Sequence, residues 1–196
     1  MSSRALKLII ELAEGQGGYF TTPQASDSGL SARVLSYHTT NGDLERVAHG
    51  VYRWVHFPEH RFGDVIAATV WAGADAAASH ETALSVYGLA AAMPPVIHVT
   101  TPHRFRGQRR GVVIHQASLS RAEVRRYDAV PVTTPVRTLL DVARSGDPSL
   151  ARQATADALE QGLIRPRRLA SAVDTDPEAE RLREVLGHSL PEVARP

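Results

Sequence analysis

No cysteine occurs among the 196 residues, so disulfides, thiolate catalysis and Cys-type zinc sites are excluded. Nothing approaches the ~20 consecutive apolar residues that a membrane-spanning helix requires. The opening MSSRALKLIIELAEG is interrupted by Lys7 and Glu11, so it holds no unbroken signal-peptide core, and a cytoplasmic protein with no membrane partner is expected. Lysine is almost missing: of the 22 Lys and Arg positions, all but Lys7 are Arg. Arginine makes bidentate contacts to phosphate and guanine that lysine does not, although a GC-rich coding bias gives the same imbalance. Net charge is also low, at +1, and does not mark the whole chain as a nucleic-acid binder. There is no internal repeat and no low-complexity segment.

Recognisable catalytic signatures are absent as well. There is no G-x-S-x-G, P-loop or G-x-G-x-x-G, and the carboxylates form no D…E-x-K nuclease pattern. Ser79-His80-Glu81 holds triad residue types, but neighbours in a chain do not reach triad geometry. His56-Phe57-Pro58-Glu59-His60 spells H-x-x-E-H, whose zinc chemistry needs both histidines on one helical face. Pro58 breaks such a helix and pushes Phe57 into an extended conformation. The segment therefore reads as an inter-domain linker. His98 and His115 lie within β-type runs and His80 follows a helix cap, positions suited to packing or buried hydrogen bonding. The expectation is a non-enzyme without cofactor or metal.

Charge is unevenly distributed. Between Val99 and Arg126 seven arginines face one acid, Glu123, whereas residues 1–60 carry five basic side chains against six acidic ones. Any nucleic-acid contact in the N-terminal part must therefore come from geometry and local charge.

That geometry is legible. Leu6, Ile9, Ile10 and Ala13 recur at helical spacing, and GQGG ends the helix. YFTT is a short extended piece. Thr22 is expected to cap a short helix beginning at Pro23 and stopping at Ser28-Gly29. Ser31 caps a second helix to about Thr40, with Val34 and Leu35 facing inward. Leu44–Val47 and Val51–Val55 flank a His49-Gly50 turn as a two-stranded ribbon. Helix, short helix, turn, helix and ribbon within 60 residues describe a winged helix-turn-helix, whose second paired helix lies in a DNA major groove. On its outer side that helix offers Ser31, Arg33, Ser36, Tyr37 and Thr40 for bases and phosphates. In the ribbon Arg46, His49 and Arg53 are expected at phosphates or the minor groove, with Val47, Val51 and Trp54 packed inward.

The character changes after Pro58–Phe62. Gly63–Ala78 is an Ala-rich helix and its exit, and Ser79 opens another helix. PPVIHVTTP and GVVIHQ are β-branched runs separated by HRFRGQRR. Ser120 and Glu123 form a capping box, VPVTT is a further strand, and helices open at Thr134-Pro135 and Asp147-Pro148. The fold class is therefore α+β. Residues 1–57 form the winged helix-turn-helix and residues 63–173 a mixed α/β C-terminal domain. Residues 174–196 are a polar tail with a marginal helix over 178–186. The loop arginines Arg104, Arg106, Arg109 and Arg110 have several readings: an extension of the DNA footprint, an RNA or acidic-protein contact, or a solvated loop.

GGYFTTPQASDSGLSARVL, LERVAHGVYRW, SHETALSVYGL, IHVTTP, RRGVVIHQASL and VPVTTPVRTLLDVA together resemble the AbiEi-type antitoxins of type IV toxin–antitoxin systems, from about Leu6 to Gly162. The resemblance implies an N-terminal winged helix that represses its own operon by binding double-stranded DNA at repeats in the promoter. It also implies a C-terminal domain that counters a neighbouring nucleotidyltransferase-like toxin, with or without a stable complex. Such proteins often carry Arg before the Gly-Val-Tyr of the ribbon, where this chain has His49. Related N-terminal halves also precede Vsr-like endonuclease domains, for which DTDPEAERLREVLGHSL is too short. The other reading is a stand-alone repressor with a sensing or dimerisation domain.

Overall fold

A computed structural model describes residues 3–145, 147–175 and 179–186. Helix α1 (Ser3–Glu14) buries Ala5, Ile9 and Ala13 on one stripe, with Leu6 and Ile10 half-buried beside them. Strand β1 (Tyr19–Thr21) follows, then α2 (Thr22–Asp27) and α3 (Ala32–Thr40). The α2 cap is Thr21 rather than Thr22. Thr21 Oγ1 accepts from the Gln24 N–H at 3.3 Å, and Gln24 Oε1 accepts from the Thr21 N–H at 2.8 Å. This reciprocal capping box satisfies two helix-start donors at once. Thr22 instead donates its hydroxyl to the Gly50 carbonyl at 3.4 Å, tying the start of α2 to the ribbon's turn.

Strands β2 (Leu44–Ala48) and β3 (Val51–Trp54) form the hairpin, with a register shift between Arg46 and Ala48. Gly50 sits at φ +73°, where a side chain would be strained. The ribbon is not two-stranded: β1 pairs antiparallel with β3, giving a three-stranded sheet in the order β1-β3-β2. Ile9, Phe20, Ala25, Leu35, Leu44 and Trp54 close a small core beneath it.

Helix α4 (Gly63–Ala72) leads into β4 (Ala77–Ala78) and α5 (His80–Tyr87). Strands β5 (Ile97–Thr101) and β6 (Val112–Gln116) run parallel, and β7 (Val124–Tyr127) and β8 (Val130–Thr133) form a hairpin after a 3₁₀ turn at Arg121–Glu123. The resulting five-stranded mixed sheet has the order β6-β5-β4-β8-β7. The Ser120–Glu123 capping box is present, with the Ser120 N–H donating to Glu123 Oε2 at 2.8 Å. Helices α6 (Pro135–Ser145), α7 (Pro148–Glu160), α8 (Pro166–Thr175) and α9 (Glu180–Leu186) complete the described chain. Asp147 caps α7 by accepting from the Ser149 and Leu150 N–H groups.

The two sheets share packing. Tyr19 and Val51 of the first sheet belong to the same buried cluster as Ile66, Leu84, Val132 and Leu139. Arg61 and His60 reach Asp128 in the β7–β8 turn at 2.7 and 3.3 Å. The segment expected to act as a linker thus leads directly into a helix wedged against both sheets. The stretch expected as a polar tail contains α9, whose Leu182, Val185 and Leu186 are buried; residues 187–196 lie outside the described chain.

Candidate nucleic-acid interface

Helix α3 is held by its inner face. Leu35 and His38 are buried, and the His38 ring meets Trp54 edge-on at 5.8 Å. His38 Nδ1 lies 2.9 Å from Asp43 Oδ2, linking the helix to the turn that leads into the hairpin. This bond, with a further contribution from His56, holds the Asp43 carboxyl below the usual carboxylate range. His38 and Asp43 escape a reading of polar surface residues because one is buried and the other lies in a turn. The only sequence signal is that His38 follows Leu35 at helical spacing.

With the inner face fixed, Ser31, Arg33, Ser36, Tyr37 and Thr40 all lie exposed. Ser31 Oγ accepts from the Val34 N–H at 3.4 Å, as expected of the cap. Tyr37 is 57% exposed although its ring meets that of His38 edge-on at 5.4 Å. After the turn at Asn41–Asp43 the chain enters β2, which packs on α3. At the hairpin's end Arg46 and His49 are also exposed, and Arg46 Nη2 lies 3.0 Å from His49 Nδ1. Here the guanidinium donates to the imidazole.

Arg53 is placed differently. It is 7% exposed and donates from Nη1 to the Phe57 carbonyl at 3.0 Å. It also lies 3.6 Å from Glu45 and 3.8 Å from Glu59. The β3 register sends this side chain inward, where it offsets two acids instead of reaching a phosphate. Arg53→Ala is therefore expected to lower thermal stability, because it removes a buried guanidinium and its bond to the part-buried Phe57 carbonyl. Arg46→Ala should leave stability unchanged and reduce the salt slope of DNA binding by about 0.9. Unfolding curves and salt titrations on both variants check this pair of outcomes.

The His56–His60 segment is not helical. His56 faces Asp43, Glu59 faces Arg53 and His60 faces Asp128, so the three side chains do not converge. His80, His98 and His115, scattered in the sequence, do come together. The His80 and His115 rings stack at 3.8 Å, and His98 Nδ1 lies 2.9 Å from His115 Nε2. Their planes are near-parallel, so their lone pairs do not point to one centre. Among the described residues no group of metal-ligating side chains is found.

Burial, then the neighbouring His115 and His98, push His80 down to about 3. The unfolded chain therefore takes up a proton at this position below about pH 6.5, while the folded chain does not until about 3. Stability is expected to fall across that window as pH drops. His80→Asn, which suits the positive φ of 50° at this residue, should flatten that part of the curve. Thermal unfolding from pH 7 to 4 tests it, and an unchanged slope would contradict the assignment.

The arginine-rich loop is anchored rather than free-hanging. Phe105 packs edge-on against Trp71 at 4.6 Å, and a Cβ at Gly107 would stand 2.6 Å from Phe105 and 2.8 Å from Trp71. Arg104, Arg106 and Arg110 are exposed, while Arg109 is half-buried.

Two family models match the chain. Residues 7–55 match a family model described as a transcriptional regulator, AbiEi antitoxin. Residues 76–190 match that of the AbiEi antitoxin C-terminal domain. No curated protein matches. Among solved structures, the RV2827C protein from Mycobacterium tuberculosis is similar in fold. Its TM-score is 0.54 at 15% identity, covering 97% of this chain and 78% of that one. Among the described residues no helix is long and apolar enough to cross a membrane. With both family matches in register with the two sheets, the chain belongs to the AbiEi antitoxin family, as a DNA-binding antitoxin with a transcriptional-regulator segment at its N-terminus.

Proposed function

We propose that this chain represses its own operon and opposes a nucleotidyltransferase-like toxin encoded beside it. Helix α3 enters the major groove with Arg33, Ser36, Tyr37 and Thr40 towards base edges and Ser31 towards a phosphate. Arg46 and His49 meet the flanking backbone. The observation that carries this reading is the exposed polar face of α3 set on a buried Leu35–His38 anchor. Residues 1–57 carry the DNA contact, at repeats in the promoter, and residues 63–173 carry the antagonism, with or without a stable complex. Arg104, Arg106, Arg109 and Arg110 form a secondary basic surface. The protein acts in the cytoplasm, without catalysis or cofactor.

The tip pair has its own consequence. His49 and Arg46, joined at the hairpin's end, face the same stretch of backbone, so His49→Gln should weaken binding to all sequences alike. Unchanged affinity in that variant, measured by fluorescence anisotropy, would remove His49 from the interface.

Co-expression with the neighbouring toxin tests the whole reading. Deleting residues 1–57 would strip Tyr19 and Val51 from the shared core, so a triple variant Arg33→Ala, Tyr37→Ala and Arg46→Ala is the better probe. Wild type should restore growth and silence a promoter reporter. The triple variant should restore growth but lose silencing. Silencing without rescue by either protein would favour a stand-alone repressor.

A further inference from the structure

A cavity of about 780 Å³ opens between β5–β6, the start of α5 and one face of α6, within the span of about 300–1,000 Å³ typical of small-molecule sites. Its wall includes His80, Thr100, His115, Ala117, Arg137 and Asp141. Asp141 is 3% exposed. Its Oδ1 accepts from Arg137 Nε at 2.9 Å and from Arg144 Nη2 at 2.6 Å. Its buried Oδ2 accepts no hydrogen bond from the described residues. A buried acceptor without a donor is costly, and one in the wall of a cavity marks where a ligand's donor belongs.

The imidazoles supply the complementary groups. Thr100 Oγ1 donates to Ser79 Oγ at 2.7 Å, and Ser79 Oγ lies 3.0 Å from His80 Nδ1. With Ser79 Oγ accepting from Thr100, its own proton is available to His80 Nδ1, and in that tautomer His80 Nε2 is a donor. Glu81 Oε2, 3.3 Å from His98 Nε2 though outside hydrogen-bond geometry, puts a carboxylate beside that nitrogen and so favours a proton on it. His98 Nδ1 then accepts from His115 Nε2, and His115 Nδ1 is left as an acceptor. Burial and the neighbouring histidine keep His115 below its ordinary pKa, so both rings are uncharged.

Charge narrows the ligand further. Two guanidiniums on Asp141 repel a cation, while Asp141 and Glu123 offset those guanidiniums against an anion. The preferred occupant is uncharged and carries both N–H donors and acceptors. The two cavity imidazoles stack face to face at 3.8 Å and 17°, and a planar ring is the ligand shape that continues such a stack.

We propose that this cavity binds a nucleobase, held by an amino or ring N–H on Asp141 Oδ2. The base is offered either by a free nucleoside or by an unpaired base of a strand, whose phosphates stay outside the cavity. This inference is independent of the DNA-repressor and toxin-antagonist readings.

Isothermal titration calorimetry on the full chain tests it, using adenosine, guanosine, cytidine, uridine, ribose and short single-stranded oligonucleotides. At least one nucleoside or oligonucleotide should bind saturably while ribose does not. Affinity should fall at least about tenfold in Asp141→Asn, which turns a donor towards the cavity. Ala117→Phe should abolish binding by filling the space without touching the bonds of Asp141, and it decides the matter if Asp141→Asn unfolds. An oligonucleotide signal lost in Ala117→Phe assigns the base to a strand; a nucleoside signal alone lost there assigns it to a free ligand. Ribose binding as well as the nucleosides, or saturable binding that survives Ala117→Phe, would overturn the proposal. So would the absence of saturable binding by every probe.

Discussion

Arg137→Ala is expected to lower stability by about 3–5 kcal/mol, the usual cost of stranding a buried ion-pair partner. Arg137 is 9% exposed and donates to Asp141 at 2.9 Å, to Glu123 at 2.5 Å and to the Ser118 carbonyl at 3.0 Å. Burial alone would weaken its charge, but Asp141 and Glu123 together outweigh that and hold its pKa above the ordinary arginine value. Alanine would leave the buried Asp141 with Arg144 alone and free the loop between β6 and the Ser120 turn. For a chain of this length the loss corresponds to a fall of about 6–20 °C in melting temperature. Arg137→Lys should recover only part of it, since an ammonium cannot bridge three acceptors in a plane. A fall of less than about 2 °C in Arg137→Ala, read by circular dichroism, would show that the network carries little of the fold's stability.

Arg33→Ala should weaken binding to the promoter by about 1–3 kcal/mol, or roughly 5- to 150-fold, and relax the base preference at one position. The side chain is exposed in the first turn of α3, where recognition helices meet base edges. Its removal touches no buried group, so the melting temperature should not change. Arg46→Ala should instead weaken binding to all sequences alike. If Arg33→Ala lowers affinity equally for promoter and scrambled duplexes, Arg33 contacts the backbone and not a base.

Much of the N-terminal architecture was legible because its signals are local. Ser31, the Leu35 stripe, Gly50 and the alternating Val51–Trp54 each specify structure within a few residues. Arg53 lies inside for a non-local reason: a strand's alternation tells which side chains share a face but not what covers that face, and the face Arg53 shares with Val51 and its β1 neighbour Tyr19 packs on α4. The cap moved from Thr22 to Thr21 because Gln24, three residues on, closes a box that a lone threonine does not.

The C-terminal part was less legible. Strand β7 carries Arg125 and Arg126 at a sheet edge, where polar side chains are favoured and apolar alternation fades. Strand β4 is two alanines, with no β-branched residue to signal it. The cavity draws on His80, His115 and Asp141, far apart in sequence and joined only by the sheet order. One sequence cue did exist: Arg137 and Asp141, four residues apart, interrupt the apolar side of an amphipathic helix, where charge persists only when paired.

The central claim is that α3 reads the chain's own promoter. Its most direct test is fluorescence anisotropy of the full chain on that promoter and on a scrambled duplex of equal length, with wild type and the Arg33→Ala, Tyr37→Ala, Arg46→Ala triple. Wild type should bind the promoter at least about 10³-fold more tightly than the scrambled duplex, and the triple variant should lose most of that ratio while melting at the wild-type temperature. Equal affinity of wild type for both duplexes, or an unchanged ratio in the folded triple variant, would contradict it.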